Sequence, residues 1–417
     1  MTLSCFELGE RMLSPDEARA ALAELAPAPL PAETVPLAAL HGRVLAEAIV
    51  SPIDVPQNTN AAMDGIALAW PARGAPPAAW RRVGEVRAGG RHPTPLAPGE
   101  CVTITTGAPL PAGADTVIMR EQLLEDGDTV IVDRPERVRP GQHVRQAGED
   151  IARGDTALAA GTRLAAAELG LLASLGLARA AVRRRPRVAI FSTGDEVTAP
   201  GEPLPAAGIF DANRFTLAGL LREHGAEVID LGILADDRAA MVEALADAAG
   251  RADLVITSGG VSVGEADYTR QALEAVGRLA FWRIAIRPGR PLACGVLGAE
   301  GVPFLGLPGN PVAAMVTFLQ FVAPLLGRLQ GRAEDAPRRL TALAETPLRS
   351  RAGRTDYLRG RTRSDDQGRL WVCATGAQGS GILSSMVAAD CLIELDASRD
   401  AVEPGEPVVI QPLSRLS

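Results

Sequence analysis

The stretch Thr257–Tyr268 reads TSGGVSVGEADY. It follows a short apolar run, Asp253–Ile256, and leads into a helix-like segment, Arg270–Val276. A strand opening through a Gly-rich turn into a helix is where α/β proteins bind anionic ligands. The glycines let the backbone approach, and the helix N-terminus presents unpaired N–H groups. This turn also carries Ser258, Ser262, Glu265 and Asp267. Two carboxylates beside a phosphate-type cradle point to a divalent cation between protein and ligand. An ordinary βα loop with a solvated acidic edge reads the same way in isolation, so its neighbours decide.

On either side, strands alternate with helices. Strand Arg187–Phe191 runs into Ser192–Glu196 (STGDE), and Phe215–Glu223 reads as a helix. Strand Glu227–Leu231 precedes Asp236 and Asp237, with a helix over Arg238–Ala249. Phe281–Ile286, Pro291–Val296 and Val302–Leu307 complete the strands, and a helix follows GLPGNP. This alternation predicts a doubly wound α/β domain with a mostly parallel sheet, over residues 183–331. Such sheets bind ligands at their carboxyl ends. Polar loops stand there at Ser192–Glu196, Ala235–Asp237 and Ser258–Asp267, so Glu196, Asp236 and Asp267 are expected to face one crevice. FWRIAIRPGRP (Phe281–Pro291) adds Arg283, Arg287 and Arg290, with Arg283 and Arg287 expected on one face of a strand. The arginine fork grips oxyanions, although solvated edge-strand charge is an equal reading of the segment alone.

The flanks have other textures. Ser14, Pro15 and Glu17 form a capping-box signature before Ala18–Leu25. Pro27–Pro36 reads as an extended linker and Leu37–Ile49 as a helix or turn. Residues 51–144 hold short β-like runs, among them Cys101–Thr105, Thr116–Met119 and Thr129–Val132, and predict an inserted β domain. Its loops Asn58–Gly65 (NTNAAMDG) and Thr105–Pro109 (TTGAP) taken singly are turn chemistry. A helix over Ala165–Leu175 resumes the N-terminal texture, so residues 1–50 and 145–182 are expected to form one discontinuous, helical unit. Residues 332–417 predict a C-terminal β domain, whose loop Thr375–Ser380 (TGAQGS) is rich in donors. Arg359 and Ser380 would complete an anion pocket if that domain folds over the sheet.

Composition excludes several classes. With 47% hydrophobic and 22% charged residues, the 417-residue chain is that of a globular protein with ample core. It contains no lysine, so all 42 basic residues are arginine and Schiff-base chemistry is excluded. A net charge of −8 argues against a nucleic-acid partner, and the basic run Arg183–Arg185 reads as a solvated linker. Five cysteines without a C-x-x-C pair suit a reducing compartment. The four histidines lie in none of these loops, so no histidine base or zinc site is expected. The longest apolar run, Val312–Gly327, contains Gln320 and Pro324 and reads as a buried core helix. The N-terminus has no basic region followed by an apolar core, so no signal peptide is expected, and the expected location is cytoplasmic, without a membrane.

Taken together, SPIDVP with AAMDG, TTGAP, GEDI, STGDE, TSGGVSVGEADY, FWRIAIRPGRP, GLPGNPV and TGAQGS follow one order. In that order the sequence resembles the molybdopterin molybdenumtransferases, the MoeA family that includes the C-terminal part of gephyrin. The resemblance implies a four-domain homodimer with a cleft shared between subunits. It further implies that adenylylated molybdopterin and molybdate bind at the α/β domain. The pyrophosphate link is then hydrolysed with Mg²⁺, AMP leaves and molybdenum enters the dithiolene.

By resemblance, Glu196, Asp236 and Asp267 match the nucleotide and metal carboxylates. Asp64, Thr106 and Asp150 match positions needed for activity, contributed across the dimer. Arg287, Arg290, Arg359 and Ser380 match the molybdate pocket. Ser192, Thr193, Gly194, Ser258, Gly259, Gly260, Ser262, Pro308, Gly309 and Asn310 match the loops that hold the cofactor. An upstream molybdopterin adenylyltransferase and downstream molybdoenzymes or their chaperones are the implied partners. Arg283, Arg287 and Arg290 stand where members usually have lysine, Ala61 and Ala313 where many have serine, and Ile66 where many have an aromatic residue. A non-catalytic cofactor-binding or scaffold paralogue, or a nucleotide-type amidohydrolase sharing the α/β domain, are the competing readings.

Overall fold

The computed structural model describes residues 12–26, 28–71, 77, 79–235, 237–259, 267–333 and 336–413. At its centre is a seven-stranded sheet in the order Met12–Leu13, Gly277–Ile284, Pro291–Leu297, Val302–Leu307, Leu254–Ser258, Arg187–Ser192, Glu227–Ile233. Leu254–Ser258 pairs in parallel with Arg187–Ser192 and with Val302–Leu307, and Arg187–Ser192 pairs in parallel with Glu227–Ile233. Pro291–Leu297 runs antiparallel to both its neighbours.

Side chains alternate between the two faces of these strands. Val188, Ile190, Leu254, Ile256 and Leu305 pack in one apolar cluster with helix Asn213–Glu223 and the long helix Pro311–Leu329. Ala189, Phe191, Val255 and Phe304 pack in a second with helices Arg238–Arg251 and Asp267–Val276. A near-continuous apolar run in each strand is what burial on both faces requires. The fold is an α/β domain combined with β modules.

The N-terminal helix, Pro15–Ala23, is started by the expected capping box, Ser14 with Glu17. Its partners are not the expected ones. Leu13, Ala18, Ala21 and Leu22 belong to the central α/β cluster, and Met12–Leu13 adds an edge strand beside Arg283 and Ile284. Residues 12–26 therefore pack away from the discontinuous unit to which residues 1–50 were assigned.

That unit is also less helical than the sequence predicts. Ala32–Pro36, read as linker, pairs antiparallel with Arg179–Arg183. Leu37–Ile49 holds a 3₁₀ turn at Leu37–Ala39 and isolated bridges from Val44 to Arg163 and Leu45 to Val182 before Ile49–Val50 pairs with Thr156–Leu158. Only Ala166–Ser174 is a true helix, over a core of Val35, Leu40, Leu45, Leu172 and Val182. Arg183–Arg185 is not solvated linker. Arg183 donates to the Leu30 carbonyl at 3.1 Å, and Arg184 holds Asp253 through both nitrogens, at 2.9 and 2.7 Å.

The inserted β segment forms a six-stranded sheet with Gly65–Leu68 between Thr116–Met119 and Glu100–Ile104. The C-terminal strands close into a barrel: Thr355–Ser364 pairs with both Leu370–Ala374 and Cys391–Leu395, and Pro407–Pro412 links the latter to Leu340–Ala344. The barrel borrows Ile286–Arg287, which pairs in parallel with Thr355 and Asp356. The strand Phe281–Ile286 of the sequence reading is thus broken at Ala285. Arg283 and Arg287 end up in different sheets and share no face.

Replacing Ser14 by Ala removes the hydroxyl that accepts from the Glu17 N–H at 3.2 Å. The expected loss is about 1 kcal/mol. It should be read as a lower urea midpoint with unchanged slope.

Candidate active site

A cleft of about 660 Å³ opens at the carboxyl ends of the central strands, where the barrel meets the α/β domain. Each strand delivers one wall. Arg187–Ser192 leads to Glu196, Leu254–Ser258 to Gly259, and Val302–Leu307 to Pro308, Gly309 and Asn310. Arg287, Pro288, Gly289 and Pro291 form a further wall, and the barrel contributes Gln378 and Ser380.

Local constraints seat these groups. Gly194 has φ +123°, and a Cβ there would lie 2.6 Å from Glu196 Oε2, so only glycine lets that carboxylate fold back over the turn. Gly289 has φ +106°, and its Cβ would lie 2.5 Å from Thr317 Cγ2. Asn310 and Pro311 start the long helix, whose amino end turns its positive dipole to the cleft. The Ser380 carbonyl accepts from the Val312 N–H at 3.0 Å, which pins the barrel loop onto that helix. Ala313, buried beneath, offers no hydroxyl.

The cationic side chains divide into two kinds. Arg287 is 37% exposed and ion-paired to Asp356, a carboxylate that is itself 1% exposed and also accepts from Ser350 Oγ at 2.8 Å. Arg359 is 1% exposed and lies behind the TGAQGS loop instead of on the cleft wall. Its Nη2 donates to the Gly379 carbonyl at 3.2 Å and its Nε to Ser385 Oγ at 3.0 Å, while burial pulls its pKa below the usual arginine range. Arg290 is exposed and its carbonyl accepts from Ile284 N–H at 2.8 Å; its side chain does not line the cleft.

Of the hydroxyls expected to face the cofactor, two are already engaged inside the protein. Ser192 donates to Asp211 at 3.0 Å, and Ser258 donates to the Pro308 carbonyl at 3.3 Å. Thr193 Oγ1 is buried without a partner. Sequence reasoning passed over Asp211, Asn213 and Arg214. Asn213 Nδ2 lies 2.7 Å from Ser258 Oγ and 2.6 Å from the Gly309 carbonyl, and Arg214 grips Asp211 and Asp230 at 2.8 and 2.6 Å. The available signal was three polar side chains, D-x-N-R, immediately before an apolar helix.

Asp64 and Thr106 meet on the inserted sheet. Asp64 Oδ1 accepts from the Thr106 N–H at 2.6 Å and from its hydroxyl at 2.7 Å, and these bonds, aided by Arg120, hold the carboxyl below its ordinary value of 3.8. A Cβ on Gly65 would sit 1.8 Å from the Ile118 carbonyl oxygen, so glycine is required beside Asp64. Both Asp64 and Arg120 line a separate cleft of about 700 Å³. Asp150 is exposed, with its N–H bonded to the Val55 carbonyl at 3.0 Å, and lines neither cleft.

Asp236, Gly260, Ser262 and Glu265 lie outside the described residues, as does the side chain of Asp267, whose backbone opens helix Asp267–Val276. Asp237 caps its own helix by accepting from the Ala240 N–H at 2.7 Å. Among the described residues no group of three or more His, Cys, Asp or Glu is placed to hold a metal ion.

The strand-end cleft and barrel cap define a class: an α/β domain with a cleft at its strand ends and β modules that complete the cleft wall. The family comparisons narrow it. Models of the MoeA N-terminal region (domain I and II), a probable molybdopterin binding domain and the MoeA C-terminal region (domain IV) match residues 13–176, 189–328 and 341–413. The chain is 43% identical over 408 residues to a molybdopterin molybdenumtransferase of Haemophilus influenzae, covering 97% of this chain and 100% of that one. A Nostoc molybdopterin molybdenumtransferase is 36% identical over 91% of this chain and 88% of its own. The crystal structure of a molybdopterin biosynthesis MoeA protein from Pyrococcus horikoshii superimposes with a TM-score of 0.82 at 29% identity, covering 97% of this chain and 100% of that one. The chain belongs to the MoeA family of molybdopterin molybdenumtransferases.

Two tests follow from the geometry. Thr106→Val removes the hydroxyl donor and should raise the Asp64 pKa towards 3.8, measured by carboxyl NMR titration. The sign is fixed by linkage: a depressed carboxyl stabilises the fold above its unfolded pKa, and that share is lost as pH falls through the folded value. Gly289→Val should misplace Arg287 and Pro288, raising the dissociation constant for anions while the far-UV spectrum is retained.

Proposed function

We propose that this transferase of molybdenum cofactor biosynthesis inserts molybdate into adenylylated molybdopterin and releases AMP. The observation that carries the reading is the convergence of Glu196, Gly259, Arg287, Gly309, Asn310 and Ser380 on one cleft from five separate segments of chain. A polyanionic substrate needs hydrogen-bond donors and positive charge at its phosphates and oxyanion. The helix start at Asn310, the Ser380 hydroxyl and Arg287 supply both. Arg359 holds the Ser380 loop against the helix, and the Ser380 hydroxyl and Arg287 then bind molybdate.

The chemistry balances without a protein nucleophile. Water adds across the phosphoanhydride bond, one P–O bond breaks, and AMP departs from molybdopterin phosphate. The dithiol gives two protons to one molybdate oxygen, which leaves as water as two Mo–S bonds form. Mg²⁺ is proposed at Glu196 with Asp236 and Asp267. Mg²⁺ is commonly held by one or two carboxylates plus substrate phosphates, and Glu196 lines the cleft without an ion pair among the described residues. When bound, the ion neutralises charge developing on the phosphates. The carboxylate of Glu196, seated over Gly194, would be one ligand of that ion.

The proposed assembly is a cytoplasmic homodimer, in which Asp64, Thr106 and Asp150 of one chain reach the cleft of the other. The inserted sheet, the strand-paired discontinuous unit, the α/β domain and the barrel would be its four domains. Substrate arrives from a molybdopterin adenylyltransferase, and the product passes to molybdoenzymes or their chaperones.

AMP release from adenylylated molybdopterin with Mg²⁺, followed with and without molybdate, tests this reading. Molybdate-dependent release is expected, together with a loss of at least about a hundredfold in Glu196→Gln and in Asp267→Asn at unchanged thermal stability. Tight binding of the pterin without release would overturn turnover in favour of a scaffold, with Ala313→Ser as the restoring variant.

A further inference from the structure

We propose that Asn213 is a positioning residue of the cleft, a single amide that sets the spacing between its two glycine loops. The proposal rests on the catalytic reading above, and nothing in that reading assigns Asn213 a role. Its side-chain nitrogen lies 2.7 Å from Ser258 Oγ and 2.6 Å from the Gly309 carbonyl oxygen. Ser258 closes the triangle by donating to the Pro308 carbonyl at 3.3 Å. The two loops touch at this point: a Cβ on Gly309 would lie 3.8 Å from the Gly259 Cα, and the Gly259 N–H donates to the Leu307 carbonyl at 3.1 Å.

The amide is itself held rigidly from behind. Asp211, 4% exposed, accepts from Ser192 Oγ at 3.0 Å and from the Arg214 N–H and Nε at 3.1 and 2.8 Å. Arg214 extends to Asp230 at 2.6 Å, and Asp230 accepts from the Gly232 N–H at 2.9 Å. Four neighbouring strands, ending in Ser192, Ser258, Leu307 and Ile233, are therefore referenced to the four residues Asp211–Arg214. A network in which each member is satisfied holds its geometry, while a loop of glycines alone does not. An amide has the two N–H donors this position needs; serine and aspartate do not.

Asn213→Ala should lower kcat for AMP release by at least about tenfold, because displacement of reacting groups by a fraction of an ångström is felt in the transition state. Ser258→Ala should give a smaller loss, and the Asn213→Ala/Ser258→Ala pair should lose less than the product of the two single effects. Hydrogen exchange on the ligand-free protein reads the same geometry without turnover: amides over 256–259 and 307–312 should exchange faster in Asn213→Ala, and those over 60–68 should not change. Wild-type kcat with unchanged exchange in Asn213→Ala overturns the proposal. Fully multiplicative losses with unchanged exchange also overturn it, because Asn213 would then act on the ligand directly. An inactive wild-type protein refutes the transferase reading instead, and the exchange experiment still decides the role of Asn213.

Discussion

Burial of the helix Pro311–Leu329 is the constraint on which the rest depends. It is long and apolar enough to cross a membrane, yet 72% of its 18-residue apolar window is buried inside the protein. A helix that is apolar all round must be covered on every side. The central sheet covers one side through Leu305 and Leu307, the N-terminal helix another through Ala18 and Leu22, and the barrel a third through Tyr357 and Leu392. Gln320, fully buried in its middle, donates to Gln411 of the barrel at 2.6 Å, so even the polar break in the helix is matched across the seam. The same helix begins at Asn310 in the cleft. Packing that hides the helix thereby fixes where its amino end, the barrel loop and the strand-end loops meet.

The absence of lysine changes how positive charge is delivered. Lysine would offer a mobile point charge, whereas arginine brings a planar fork whose donors must each be satisfied. Arg287 has its fork partly occupied by Asp356, so it presents a directed and partly neutralised edge to the cleft. Arg359 has no carboxylate partner among the described residues and donates to Gly379 and Ser385. Its charge is carried intact into a buried position beside the loop that bears Ser380. In a protein with net charge −8, these two arginines are the positive groups nearest to the Ser380 loop on which the proposed anion pocket depends.

The sequence made the central sheet legible because burial on both faces writes apolar runs of strand length, and polar residues at their carboxyl ends stand out against them. It revealed the cleft loops for the same reason. Pairing between distant segments leaves no such mark. Ala32–Pro36 looks like linker because its proline content is tolerated on an edge strand, and its partner lies far along the chain at Arg179–Arg183. The break at Ala285 was hidden because alternation continues through it while the chain changes sheets. Ser192 and Ser258 were legible as strand-end hydroxyls, but not the inward turn imposed by Asp211 and Asn213. That turn depends on the loop before Asn213–Glu223, whose polar residues resemble any helix start.

The two clefts make different chemical offers. The strand-end cleft gathers donors, a helix start and Arg287, which suits binding of an extended anion. The cleft on the inserted sheet is lined by Arg82, Glu85, Arg120, Glu125 and Asp128, and Arg82 is paired with Glu125 at 2.6 Å. With Asp64, four carboxylates there face two arginines, a net negative lining unsuited to holding a polyanion. Its distinctive group is Asp64, exposed yet locked by both donors of Thr106 and kept ionised. A carboxylate that is ordered without being buried keeps its charge for a partner outside its own sheet. Within the proposed homodimer, such a group is suited to orient water or a metal-bound phosphate at the other chain's cleft. The fold then supplies carboxylates from two places, Glu196 within the anion cleft and Asp64 on a separate sheet outside it.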